Sequence, residues 1–263
     1  MSTLNSTRNF SAVSQLTTLI GAQIQRLLLA RKTKALLAIQ MLPVLGAFVY
    51  VLFESLDGLT MFSKIVNTVT IPFLIPLAAL FYGGPAIVDE MEGRTLTFLT
   101  LRPIGKPILF LGKVIAAISV ALPAVLVPLT LLFAVCLFQS DDMGQSTENF
   151  ARILGASAVG IATYVTIFAT LGAIFASSIL SNIIYFVVIE VLFSVIPNIM
   201  FLSVKNHTKT LAGFSSEIGF WEAITIGQAL PTEWWISLIF CSIIILLASI
   251  TGASVFRSRQ YYV

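Results

Sequence analysis

Six stretches of this chain, roughly 35–53, 65–88, 114–138, 153–176, 180–200 and 234–255, are apolar almost without interruption. The hydrocarbon core of a bilayer takes about 20 such residues per helix, so each stretch reads as a membrane span. Inside a bilayer only helices and closed barrels satisfy their own backbone. A barrel would show segments of about ten residues with alternating polarity, and these runs are too long and too evenly apolar for that. Of 263 residues, 57% are hydrophobic and 10% charged, and six spans joined by short loops leave no room for a soluble domain. The expectation is a single all-α integral membrane domain covering 1–263, with six transmembrane helices.

Residues 1–16 are polar and hold no apolar core of a secretory signal, so the first span is read as retained. Basic residues fix the orientation. With the amino terminus, the 89–113 loop, the 177–182 turn and the carboxyl terminus on one side, that side holds 11 Lys and Arg and the other holds 4, of 15 in all. Both termini are therefore expected in the cytoplasm. The net charge of +3 then reads as a collar facing anionic lipid, with no call for nucleic acid.

Before the first span, residues 17–34 place Leu16, Ile20, Ile24, Leu27 and Leu28 along one helical face and end in Arg31, Lys32 and Lys34. An apolar face with a basic tail is the pattern of a helix lying in the membrane interface. The second span contains Pro72, Pro76, Gly83, Gly84 and Pro85. Proline removes a backbone hydrogen bond and kinks a helix, so Pro72 and Pro76 are candidates for a translocation path lined by bent helices. Ordinary irregularity of membrane helices reads equally well. In the fourth span Ala156 and Gly160, then Gly172 and Ala176, are small pairs spaced for close helix contact, within the chain or between copies. Residues 201–233 are read as an outer segment that dips into the membrane and returns, with Trp234 and Trp235 anchoring the sixth span. The sequons at Asn5 and Asn206 are read as chance matches, and Cys136 and Cys241 as apolar packing residues.

Nothing in the chain assembles a catalytic or metal site. There is no Walker-type glycine loop and no HExxH, and the single histidine, His207, is read as a surface residue. Glu190 stands apart, because it falls within the fifth apolar stretch. A carboxylate at the bilayer centre costs roughly 2.5–3.5 kcal/mol or more. It therefore serves a transported group or proton, or it is bonded to Ser, Thr or Tyr of a neighbouring helix, such as Tyr164.

The other polar concentration is 89–113, DEMEGRTLTFLTLRPIGKPILFLGK, with seven charged residues between two spans. Asp89, Glu90 and Glu92 suit a helix amino terminus. Met91, Thr95, Phe98, Leu99 and Arg102 share a helical face, and Pro103 stops it. Lys113 is placed at the interface before the third span. A short amphipathic helix here would offer its charged side to a protein in the cytoplasm.

The run Glu90-Met91-Glu92-Gly93-Arg94-Thr95-Leu96, followed by Leu99, Arg102-Pro103-Ile104 and Gly112-Lys113, resembles the cytoplasmic loop of ABC-2-type transporter permeases, which reads roughly E-x-E-x-G-T-L, then P-[VI]-S-R and later G-K. Two departures show: Arg94 separates Gly93 from Thr95, and Gly105-Lys106 stands where the family has Ser-Arg. The resemblance extends to the layout of the whole chain. It implies a coupling helix at 89–103 and a connecting helix at 17–34, with Glu90, Glu92, Arg94, Thr95, Leu96, Arg102 and Pro103 meeting a separate nucleotide-binding ATPase subunit. It also implies a second permease copy, an exporter in a bacterial plasma membrane, and ATP with Mg held by the partner rather than by this chain, which would itself be no enzyme. The rival expectations are a secondary transporter or channel using Glu190, and a membrane scaffold that anchors a cytoplasmic complex.

Overall fold

The computed structural model describes residues 12–53, 58–92, 105–138, 143–175, 178–193, 200–214 and 233–258. Among these, every regular element is helical: α1 (Ala12–Leu29), α2 (Arg31–Phe53), α3 (Gly58–Ile65), a π-helical segment π1 (Val66–Leu74), α4 (Ile75–Glu92), α5 (Lys106–Leu137), α6 (Met143–Phe175), α7 (Ser178–Tyr185), a second π-helical segment π2 (Phe186–Leu192), a 3-10 turn (Met200–Leu202), α8 (Val204–Leu211) and α9 (Trp234–Ser258). Five helices are long and apolar enough to cross a bilayer: Arg31–Phe53, Gly58–Val88, Lys106–Leu137, Thr147–Phe175 and Trp234–Ser258.

The stretch expected as a fifth span differs from the rest. Its described helical part, Leu180–Leu192, is about 20 Å long at 1.5 Å per residue, against roughly 30 Å of hydrocarbon. The third span begins earlier than expected, at Lys106, because Gly105 starts it in extended geometry and Pro107 fits its first turn. Lys113 is consequently not at the interface ahead of that helix. It is buried within the bundle, 1% exposed. The helix before the first span runs from Ala12 to Leu29, earlier in the chain than 17–34. A bend at Ala30 ends α1, Thr33 donates its hydroxyl to the Leu27 carbonyl across the bend, and the basic cluster from Arg31 to Lys34 opens α2.

Small residues set the closest packing. α4 and α6 pair most extensively because Gly83 meets the Val165 backbone and Gly172 meets the Gly84 carbonyl. A Cβ on Gly83 would lie 2.7 Å from the Val165 oxygen, and one on Gly172 would lie 3.1 Å from the Gly84 oxygen. Gly160 faces Thr208 of α8 at a comparable separation. Gly160 and Gly172 thus make their close contacts within the chain, while Ala176 lies outside the described residues.

Two apolar clusters hold the ends of the bundle. At one end Phe62, Phe133 and Phe150 join α3, α5 and α6, with Phe133 and Phe150 stacked at 4.1 Å. At the other, Ile87, Leu109, Phe110, Ala173 and Phe256 join α4, α5, α6 and α9. α2 and α9 turn exposed leucines and isoleucines outward, among them Leu42, Leu45, Leu246 and Ile250, as lipid-facing helices do.

Candidate functional site

α8 is an eight-residue helix inside the bundle, packed on α6, α9 and π1. Four N–H groups at a helix start have no partner within the helix. Ser203 sits at the cap position in extended geometry (φ −79°, ψ 122°) but makes no capping bond itself. Glu190 of π2 does that work. Its Oε1 accepts the Val204 N–H at 3.0 Å, and its Oε2 accepts the Lys205 N–H at 3.1 Å and the Ser203 hydroxyl at 2.7 Å. A carboxylate is favoured there because the helix start carries partial positive charge. Lys205 in turn donates its Nζ to the Glu190 main-chain carbonyl at 2.9 Å. Tyr164 of α6 faces the same carboxylate without closing a bond of normal length.

The other end of α8 is held as firmly. Gly213 adopts φ +85°, the left-handed turn that suits glycine after a helix. Phe214 N–H bonds Lys209 O at 3.0 Å, and Gly213 N–H bonds Thr210 O at 3.1 Å, which together close a Schellman turn. Arg152 of α6 donates its Nε to the Leu211 carbonyl at 3.1 Å, and its guanidinium packs against Gly213. An anion at the start and a cation at the end match the helix dipole.

His207, expected at the surface, is instead 2% exposed. Its ring stacks on Phe240 at 4.0 Å and meets Phe201 edge-on at 5.0 Å. Nε2 lies 2.7 Å from the Phe201 carbonyl and Nδ1 lies 3.0 Å from the Ser237 hydroxyl. A carbonyl only accepts, so the network assigns the proton to Nε2, with Ser237 donating to Nδ1. Burial holds the imidazole below its usual range, opposed by the Phe201 carbonyl. The unfolded chain therefore binds a proton first as pH falls below about 6.5. Folding stability should be flat above that value and decline beneath it. The measurement is thermal unfolding against pH, in which His207→Gln should flatten the part of the slope just below pH 6.5. An unchanged slope in that variant would contradict the assignment. Thr208 is also buried, bonded to Val204 O at 2.9 Å, so the sequon at Asn206 is folded into α8.

The remaining candidates scatter. Pro76 is buried and Pro72 partly so. Pro72 lies in π1, where the Ile75 N–H reaches back five residues to Thr70 O. Gln40 of α2 donates to the Leu74 carbonyl at 2.9 Å, beside a small crevice lined by Gln40, Thr70, Pro43 and Pro128. π1 packs on α8, so the proline segment and Glu190 approach the same short helix from different sides. Glu90 and Glu92, expected at a helix amino terminus, fall instead in the last turn of α4, which continues the second span past Val88. Arg94, Thr95, Leu96, Arg102 and Pro103 lie outside the described residues, as does most of the 201–233 segment. Among the described residues no cluster of three or more His, Cys, Asp or Glu could hold a metal.

The family model described as ABC-2 family transporter protein matches residues 56–229. The chain belongs to the ABC-2 transporter family. None of the curated proteins compared with it matches. The matched region of this ABC-2 protein takes in π1, α4, the 89–103 segment, Glu190 and α8, and leaves α1, α2 and α9 outside it. Its long apolar helices make it the transmembrane component of an ABC transporter. Sequence reasoning missed Ser203, Arg152 and Lys205 as partners in the ABC-2 bundle. The signal for α8 was present: a Ser at the cap, helical spacing through Leu211, and a glycine two positions beyond.

Proposed function

We propose that this ABC-2 protein is the permease subunit of an ATP-driven exporter. It forms the path through a bacterial plasma membrane and receives work from a separate ATPase subunit. The match to the ABC-2 family over 56–229 carries this reading. The absence of any Walker-type loop in the sequence assigns ATP and Mg to the partner. Both termini are in the cytoplasm on this reading, following the 11 to 4 split of basic residues. Residues 180–200 supply a sixth crossing on this reading, and a second permease copy completes the transporter. The ATPase docks on 89–103, through Glu90, Glu92, Arg94, Thr95, Leu96, Arg102 and Pro103, with α1 alongside. ATP binding would then bias a two-state bundle from outside the membrane.

Co-purification from native membranes tests the assembly. Isolation of the permease with no ATPase chain would favour the scaffold reading instead. Glu90→Lys combined with Glu92→Lys tests the docking segment. The expected result is loss of the ATPase chain, or loss of its stimulation by at least about tenfold, at an unchanged unfolding temperature. Retained binding and stimulation would remove 89–103 from the interface. The secondary-transporter reading asks Glu190 to exchange an ion, and here its oxygens are taken by three donors of the same chain.

A further inference from the structure

Two buried polar side chains of the helix Ser178–Leu192 stand in opposite circumstances. Glu190, in π2, has its carboxylate filled by α8. Asn182, in α7, is fully buried, and among the described residues neither its amide nitrogen nor its oxygen has a hydrogen-bond partner. α7 packs against α4 and α6. Each of those presents a buried tyrosine, Tyr82 or Tyr164, whose hydroxyl closes no bond of normal length. A buried amide left unpaired disfavours the position that leaves it so. Something else must hold the helix in place, and the bonds from Glu190 to α8 are the means on view. The link between the two residues is itself unusual. Phe186–Leu192 is π-helical, a geometry rarely adopted and found mostly as local bulges at functional sites.

We propose that Ser178–Leu192 is a two-position element. In the position seen here Glu190 caps α8 and Asn182 is unpaired. In the other, π2 takes α-helical register, which turns Asn182 and Glu190 relative to one another. Asn182 is then paired with polar groups of α4 or α6, and Glu190 is withdrawn from α8. The two positions trade one set of buried polar bonds for another, which is how a packed bundle comes to have two discrete arrangements. π1 also packs on α8, so both π segments meet the helix that is held or released.

The exchange between positions is observable in the purified chain, with no ATPase and no cargo. Val204 and Lys205 are the first two residues of α8, and their N–H groups have no partner within the helix. The Glu190 carboxylate accepts both. Amide hydrogen exchange at these two sites, in lipid nanodiscs, therefore reports how often the carboxylate leaves. Asn182→Leu removes the group that favours the second position. It should slow exchange there by about tenfold or more, the scale of one unsatisfied buried polar group, and raise the unfolding temperature. Glu190→Gln should speed exchange at the same sites while leaving the middle of α6 unchanged. Exchange that is unchanged or faster in Asn182→Leu would overturn the proposal. Asn182→Ala covers the case in which leucine is too large. The same slowing is expected, and an alanine variant that fails to fold, or that exchanges at the wild-type rate, also overturns it, since the amide would then support the position seen here. If Asn182 served packing alone, its replacement would alter global stability without this local signature.

Discussion

Glu190→Ala should unfold α8 and lower the unfolding temperature of the whole bundle. The substitution strands the Ser203 hydroxyl and the Val204 and Lys205 N–H groups, and a buried group deprived of its partner costs about 1–3 kcal/mol. Removing a buried charge relieves its desolvation, and whole buried ion pairs exchanged for apolar residues are often neutral. That relief does not decide the outcome here, because the donors stay behind in the bundle without an acceptor. Loss of one end of the clamp also frees the segment that packs on π1 and against Gly160. Glu190→Gln keeps one acceptor oxygen and should lose markedly less. The measurement is thermal unfolding of the purified permease, paired with hydrogen exchange across 204–211. Wild-type stability in the alanine variant would show that α8 is held by packing and Arg152 rather than by the carboxylate.

Gly83→Ala should force α4 and α6 apart and destabilise the bundle. The added carbon would sit 2.7 Å from the Val165 carbonyl oxygen and 3.1 Å from the Phe168 Cβ. The nearest atom is backbone, which cannot rotate aside, so α4 and α6 must separate. Overpacking of this kind costs about 1–3 kcal/mol, and at the most extensive helix pair the upper part of that range applies. Gly46→Ala in α2 is the matched control, since nothing lies within 4 Å of the Cβ it would gain. It should be neutral or stabilising by up to about 1 kcal/mol through helix propensity. Equal unfolding temperatures for the two variants would mean that the α4–α6 contact is looser than its geometry.

Five of the six apolar stretches correspond to long helices of the bundle, of which α5 begins eight residues and α6 ten residues before the expected start. Their legibility is physical: a residue facing lipid or an apolar neighbour must be apolar, and twenty in a row leave a mark. The stretch from 180 was the least legible, because its apolar character hides a change of helix type within it. Hydropathy does not distinguish α from π geometry, and Glu190 falls in the π-helical part. α8 was missed for the opposite reason. Val-Lys-Asn-His-Thr-Lys-Thr-Leu is polar on average, yet it is buried because its ends are bonded to Glu190 and Arg152. Partners 13 to 59 residues away along the chain leave no periodic trace. His207 went the same way, since a lone imidazole between two phenylalanines has no spacing signature. The 89–103 segment was read through its resemblance to ABC-2 permeases, and its residues beyond Glu92 lie outside the described ones.

The crossing helices that bury most of themselves in the protein, Gly58–Val88 and Thr147–Phe175, are also the least apolar of the five. They spend their surface on glycine contacts, on hydroxyls and on Gln40's acceptor, not on lipid. This bears on biogenesis. Of the five, Arg31–Phe53 and Trp234–Ser258 are rich enough in leucine and isoleucine to partition into the bilayer alone. Gly58–Val88 and Thr147–Phe175 gain from waiting for a neighbour before they leave the insertion machinery. The chain order provides one, because the strongly apolar Lys106–Leu137 is synthesised between them.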